Sequence, residues 1–339
     1  MADRSTEMRR EGSVKILFVV LSDIRRGQRI SKEVETLADA GYEVEAIDLP
    51  SEEPTPGSVK CTHRPLRLWT RRLPKNLGFW PLKYLEAVLR SVVAGVSSRP
   101  DFVHCVDRLA LLPSWLIARI TGAPFLYDTQ EIWSEVNTAM NRPRFAWLAL
   151  ERLLARRASG VMVTDRFRRV ITAELLELEG ESVHVLMSLP KLASTTRGDR
   201  TLTADTGLEG KKIVVYAGFL SPRRHLEEIV EALRFLPDAY NLVLIGFGAE
   251  DYKAKLLALA EQCGVDGRLM MLPPVRWFEL TAYIREAHCT MALYEENSMN
   301  NRYASPSKVF DSVMAGVPVV GTDNPLIREV VRELDAGET

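Results

Sequence analysis

The strongest restriction on the fold is an alternation that runs along the chain, stops, and starts again. "VKILFVVLS", residues 14–22, is a continuous apolar run of strand length, the pattern of a strand covered on both faces of a parallel sheet. "ISKEVETLADAG" follows as a helix closed by Gly41, and "YEVEAIDL" as the next strand; glycine is the common helix terminator. Strand, helix and strand over so short a span predict a βαβ unit with a right-handed crossover. "DFVHCVD", "APFLYDT" and "GVMVT" read as further strands, with "LALLPSWLIARITG" and "FRRVITAELLELEG" as helices.

Residues 191–210, "KLASTTRGDRTLTADTGLEG", break the alternation. They are polar, rich in Thr and Gly, and without period, and they read as a linker. Beyond them "KKIVVYAG", "YNLVLIGFG", "RLMMLP", "CTMALY" and "VPVVGT" are strands. "LEEIVEALRFL", "DYKAKLLALAEQCG", "WFELTAYIREA" and "SPSKVFDSVMAG" are the helices between them. The expected organisation is a disordered tail over 1–13, an α/β domain over 14–190, the linker, and a second α/β domain over 211–339. In such sheets ligands bind beyond the carboxyl ends of the strands, at helix N-termini. Two domains facing across a cleft suit an enzyme that joins two substrates. One nucleotide site beside a passive domain fits the topology equally well.

Composition excludes several classes. The 339 residues carry a formal charge of −1 and 26% charged side chains, an ordinary globular balance with no general nucleic-acid signature. Cys61, Cys105, Cys263 and Cys289 lie far apart with no CxxC spacing, which reads as reduced thiols rather than a zinc site or disulfide frame. The polar start "MADRSTEMRREGS" lacks a signal core, and no apolar run is long enough to span a bilayer. A cytoplasmic protein is expected.

The segment with the most chemistry is "NNRYASPSKVFDSVMAGVPVV", residues 300–320. Ser305 is read as the N-cap of its helix and Pro306 as the first helical residue. Val309, Phe310, Val313 and Met314 are expected to face the core, and Lys308 and Asp311, three apart, to share another face. A lysine among free helix-start N–H groups makes a seat for phosphate, and a carboxylate one turn on can accept a bond from a sugar hydroxyl. A surface Asp–Lys pair fits the spacing equally well.

"PSKVFDSVMAGVPVVGTDNP" resembles the donor-site segment of glycosyltransferase family 4. So do "VVYAGFLSPRRHLEEIVEAL", "LVLIGFGAE" and "PDFVHCVDRLALLPSWLIARITGAPFLYDTQEIWSE", in the right order from about residue 14 to 332. The resemblance implies a GT-B fold, that is, two Rossmann-like doubly wound parallel-sheet domains. It implies retaining transfer of a sugar from a UDP- or GDP-linked donor, with no cofactor and no bound metal. Arg224 and Lys308 would then neutralise the departing diphosphate. Gly218, Gly246, Gly248, Val275, Asn300, Asn301, Tyr303, Ser307 and Asp311 would line the donor site. Arg25, Arg29, Asp107 and Glu131 would face the acceptor: a lipid-linked glycan, a polysaccharide or a small molecule. An exposed basic loop for the arginines, and a structural role for the two acids, are the plainer alternatives.

The chain departs from the family at four positions. Tyr303 replaces the first of two glutamates found in many members, and Asp311 is shorter than the second. Phe219 replaces an arginine, and Gln130 a histidine, so no general base is assigned; an amide cannot shuttle a proton. Relatives also continue past "LIREVVRELDAGET", so a C-terminal domain incomplete at its end, with exposed apolar surface, is expected. A non-catalytic nucleotide-binding member and a nucleotide-sugar epimerase of the same fold are the rival readings.

Residues 60–99 hold nine Lys/Arg and one acid, interleaved with Trp69, Phe79, Trp80 and Tyr84. This stretch is either a surface for anionic membranes or a helix pair with aromatics inward and cations in water.

Overall fold

The computed structural model describes residues 13–51, 59–74, 77–136, 143–190 and 201–339. Almost all of the expected N-terminal tail, Lys75 of the basic stretch, and the first half of the expected linker lie outside the described residues. The chain divides into two units, Met1–Leu186 and Met187–Thr339.

In the first unit the elements are β1 (Lys15–Val20), α1 (Gln28–Asp39), β2 (Glu43–Asp48), β3 (Thr62–Pro65), α2 (Trp80–Ser98), β4 (Phe102–Val106) and α3 (Asp107–Thr121). They continue with β5 (Phe125–Asp128), α4 (Arg144–Ala155), β6 (Gly160–Val163), α5 (Arg166–Leu176) and β7 (Val183–Val185). The sheet order is β3-β2-β1-β4-β5-β6-β7, and the pairings are parallel. Alternation along β1 explains why helices cover both faces. Leu17 and Val19 enter one apolar layer with Leu111 and Ile117 of α3. Phe18 and Val20 enter the other with Ile30 and Val34 of α1, as the two-residue strand period requires.

The second unit comprises α6 (Leu202–Thr206), β8 (Lys212–Ala217), α7 (Leu226–Ala232), β9 (Tyr240–Ile245), α8 (Glu250–Gln262), β10 (Leu269–Leu272) and α9 (Trp277–Ile284). It ends with β11 (Cys289–Ala292), α10 (Met299–Arg302), α11 (Ser307–Ala315), β12 (Val319–Gly321), α12 (Pro325–Glu333) and β13 (Gly337–Glu338). Its sheet runs β10-β9-β8-β11-β12-β13, again parallel. The two sheets give the expected α/β, doubly wound class. Within the stretch read as linker, residues 202–206 are helical. Thr201 Oγ1 caps that helix by accepting from Ala204 N–H, and Leu202 is fully buried in the second unit's core.

In both sheets the strand order reverses once, between β1 and β4 and between β8 and β11. Loops diverge there and leave a crevice at the strands' carboxyl ends.

Candidate functional site

At the reversal in the second unit, Gly218 follows β8, Tyr294 lies two residues past the end of β11, and α11 starts after the α10 turn. Helix α11 begins at Ser307; Pro306 is its N-cap, with extended backbone and no side-chain capping bond. Ser305 is therefore not the cap. Proline brings no side-chain acceptor, so the helix start offers its N–H groups and positive dipole end uncapped by any side chain.

The helix is also rolled differently from the sequence reading. Val309, Asp311, Ser312 and Ala315 are buried, whereas Met314 is exposed. The cause is polar: Thr290 Oγ1 of β11 donates to Ser312 Oγ at 2.7 Å, and Ser312 Oγ donates to Lys308 O at 2.7 Å. This ladder draws the polar stripe onto the sheet. Asp311, only 3% exposed, sits within it.

Lys308 reaches back over the sheet end. Its Nζ lies 4.0 Å from the centre of the Tyr216 ring and 5.6 Å from that of Tyr294. Arg224 Cζ stands 4.1 Å from the Tyr294 ring. Aromatic faces attract cations without neutralising them. Among the described residues Lys308 has no carboxylate partner, and Arg224 Nη1 is buried with no hydrogen-bond partner. Burial, and then repulsion from Arg224, push the Lys308 pKa well below that of an ordinary lysine. Two basic side chains without an acidic partner among the described residues thus stand side by side, an arrangement an anion would complement.

The glycines make this approach feasible. A Cβ on Gly218 (φ +152°) would sit 3.0 Å from Lys308 Nζ. One on Gly246 (φ +150°) would sit 1.8 Å from Gly218 O, and one on Gly248 2.7 Å from Leu220 Cβ. Gly246 and Gly248 thus let two loops of the protein touch: Leu220 N–H donates to Phe247 O at 2.7 Å. Val275 is half-buried and packs on the core layer containing Leu280 and Tyr283. Asn300 and Asn301 lie in α10, Tyr303 caps its end, and Ser307 opens α11.

In the first unit the acceptor-side candidates gather at the carboxyl ends of β1, β4 and β5, but two of them are neutralised. Arg25 is clamped by Asp23 through two bonds of 2.9 and 2.7 Å. Arg29 is not in an exposed loop. It is 7% exposed, donates to Asp128 Oδ1 at 2.8 Å and to Leu186 O at 2.6 Å, and pairs with Glu33 at 2.8 Å. A guanidinium so engaged is not available to grip a ligand phosphate.

Glu33, His104 and Asp128 bring three ligand-type atoms within 4.8 Å of one another. Arg29 already serves both carboxylates, so a single guanidinium faces two acids. Burial and the Asp128 charge accordingly push Glu33 up to about 7.

Asp107 adopts the left-handed region (φ +63°), which costs a non-glycine residue about 1–2 kcal/mol. Its Oδ1 accepts from Gln130 N–H at 3.3 Å and Trp133 Nε1–H at 3.2 Å. Burial and the Asp128 and Glu131 charges push its carboxyl up to about 7. Strain and a shifted carboxyl together are marks of a working position. Glu131 is part-exposed and lies 3.3 Å from Arg168.

Two family models match the chain: "Glycosyl transferase 4-like domain" over residues 27–186 and "Glycosyl transferases group 1" over 199–338. The chain belongs to the GT-B glycosyltransferases. It is similar to a D-inositol 3-phosphate glycosyltransferase of Xylanimonas cellulosilytica, 24% identical over 94% of this chain and 76% of that one. Among solved structures it resembles Anabaena HepE in complex with UDP and glucose (TM-score 0.67, 16% identity, 91% of this chain and 80% of that one). It also resembles sucrose-phosphate synthase of Thermosynechococcus elongatus (TM-score 0.69, 16% identity, 91% and 81%).

Sequence reading missed three parts of the second unit's crevice. Tyr216 and Tyr294, which hold the cations, look like ordinary strand aromatics. Asn324, fully buried, donates to the carbonyls of Asn301 and Arg302 at 2.8 and 3.0 Å. It accepts from Thr322 Oγ1, which in turn accepts from Tyr294 N–H at 3.1 Å. This chain ties the ends of β11 and β12 to α10. The only trace of it in the sequence is the polar "TDN" after a strand.

Proposed function

We propose that the chain transfers a sugar from a UDP- or GDP-linked donor, held by the second unit, to a hydroxyl of an acceptor met by the first, with retention at the anomeric carbon. The acceptor would be a lipid-linked glycan, a polysaccharide or a small molecule. The observation that carries the reading is the pair Arg224 and Lys308, two basic side chains without acidic partners among the described residues, beside an uncapped helix start. The relatives named for glycosyl transfer and for UDP and glucose support the choice of donor.

In the reaction the anomeric carbon–phosphate oxygen bond breaks while the acceptor oxygen bonds to that carbon. The electron pair goes to the diphosphate, whose charge grows next to both cations. Charge already in place costs no reorganisation at that moment. The acceptor proton passes to the departing phosphate oxygen. On this reading Arg224 and Lys308 supply the positive charge with no bound metal, Asp311 accepts from the ribose, and Asn300, Asn301 and Tyr303 meet the sugar.

The test is thermal stabilisation by a panel of nucleotide sugars, then product analysis with the best donor. Transfer that falls in Arg224→Gln and Lys308→Met supports the reading. Binding without hydrolysis or transfer to any acceptor tried would make this a nucleotide-binding family member, and a changed sugar configuration without transfer an epimerase.

A further inference from the structure

Helix α2 carries an apolar face that nothing among the described residues covers. Leu82, Leu85, Leu89 and Val93 are 50, 54, 57 and 72% exposed. Their spacing of three, four and four residues aligns them along one stripe roughly 16 Å long. Trp69, 78% exposed, extends it. The opposite face is firmly docked: Ala87, Val88, Ser91 and Gly95 are buried, and a Cβ on Gly95 would meet Ile117 Cδ1 at 2.4 Å. The aromatics of the helix are also accounted for. Trp80 and Tyr84 stack at 5.3 Å and meet Trp147 edge-on at 5.5 and 5.7 Å. The leucines therefore point outward with the helix in its seated position.

The stripe lies in a built setting. Glu86, the one acid of residues 60–99, accepts from Trp69 N–H and Thr70 N–H at 2.9 Å each and from Arg90 Nε at 2.7 Å. Its charge is thus compensated, and it pins the 3-10 turn Trp69–Arg72 beside α2. Arg90 lies 5.4 Å over the Trp69 ring. A groove of about 500 Å³, lined by Leu66, Arg67, Leu89, Arg90 and Val93 among others, opens along the stripe. Arg67 lines it and Arg72 ends the neighbouring 3-10 turn; both are exposed and have no partner among the described residues. By contrast Arg64 is paired with Glu45 and Arg71 with Pro50 O.

We propose that this face is a docking surface for an anionic lipid bilayer, with the leucine stripe and Trp69 entering the interface and Arg67 and Arg72 meeting headgroups. Charge decides the occupant. A second copy would bring the same cations against themselves in a two-fold contact, whereas an anionic leaflet complements them. No helix among the described residues is long and apolar enough to cross a membrane, so the contact is peripheral. The proposal does not depend on the donor site.

The experiment is sedimentation of the full chain with phosphatidylcholine vesicles containing 0 or 30 mol% phosphatidylglycerol (roughly a cellular anionic fraction), at low and high salt. Binding is expected only to anionic vesicles and should be released by salt. Arg67→Gln with Arg72→Gln should weaken it roughly tenfold or more, since each surface cation contributes about a factor of five. Leu85→Ser with Leu89→Ser should weaken it at least as much. These exposed positions should leave the fold, checked by circular dichroism, and nucleoside diphosphate binding unchanged. Equal binding to neutral vesicles, or none to either kind, overturns the proposal. So does a concentration-dependent dimer that the serine variants dissociate, which would make a second copy the occupant.

Discussion

Replacing Lys308 with Met tests the donor site by two effects of opposite sign. Its amino group is held over Tyr216 next to Arg224, with no acid among the described residues to balance it. A diphosphate would supply the missing charge, and a hydrogen bond to a charged group contributes about 1.5–3 kcal/mol. Lys308→Met should therefore weaken UDP or GDP binding roughly ten- to hundredfold. Without ligand the same change should raise the melting temperature, because it removes an unpaired cation from a desolvated place.

The protonation sign follows from the depressed pKa. The unfolded chain holds the lysine proton up to its ordinary range, and the folded chain releases it earlier. Wild-type stability should thus rise with pH between the depressed and the ordinary value. Diphosphate binding should take up protons, and affinity should fall as pH rises through the depressed value. Calorimetry in buffers of different ionisation enthalpy reads the uptake directly, beside melting curves. A variant that binds within twofold of wild type with unchanged proton uptake, or that melts lower without ligand, refutes the reasoning.

Glu33, pushed up to about 7 from 4.5, binds its proton in the folded state over that window. Stability should fall as pH rises through it, by roughly 2–3 kcal/mol. Urea midpoints at pH 5 and 8 should show a smaller fall in Glu33→Gln, and equal slopes would reject the assignment. Gly246→Ala forces a methyl group into Gly218 O and should destabilise the second unit by about 2–4 kcal/mol. Gly218→Ala, at φ +152°, brings a methyl group against Lys308 Nζ and Tyr216 Oη, so it should cost some stability through backbone strain and also weaken nucleotide binding in the same titrations. Asn324→Ala leaves two carbonyls of the α10 turn without their donor, a loss of about 1–3 kcal/mol. Limited proteolysis near residues 297–303 should speed up, and an unchanged cleavage pattern would argue against the anchoring role.

Most strands, most helices and the carboxyl-end edges of both sheets were legible in the sequence, because apolar period and glycine stops are local properties. β3 ("THRP") and β7 ("VHV") escaped because they are edge strands with little apolar run, whereas α4 and α12 carry an apolar period and were passed over all the same. The motifs singled out Arg224 and Lys308, and the structure brings both to the Tyr294 ring at the reversal of strand order.

What the sequence by itself determined is the alternation, and with it two parallel sheets and the end of each at which loops and helix starts gather. Whether a charge there faces a ligand or another side chain depends on residues far along the chain. Arg29 meets Asp128, 99 positions away, and only folding makes that pair. The same holds for α2, where leucine spacing alone would turn the stripe inward. Gly95 instead brings the small-residue face against Ile117, and close packing then leaves the leucines no interior to enter. Side-chain size at a long-range contact, which no local period encodes, decided which face of that helix meets the solvent.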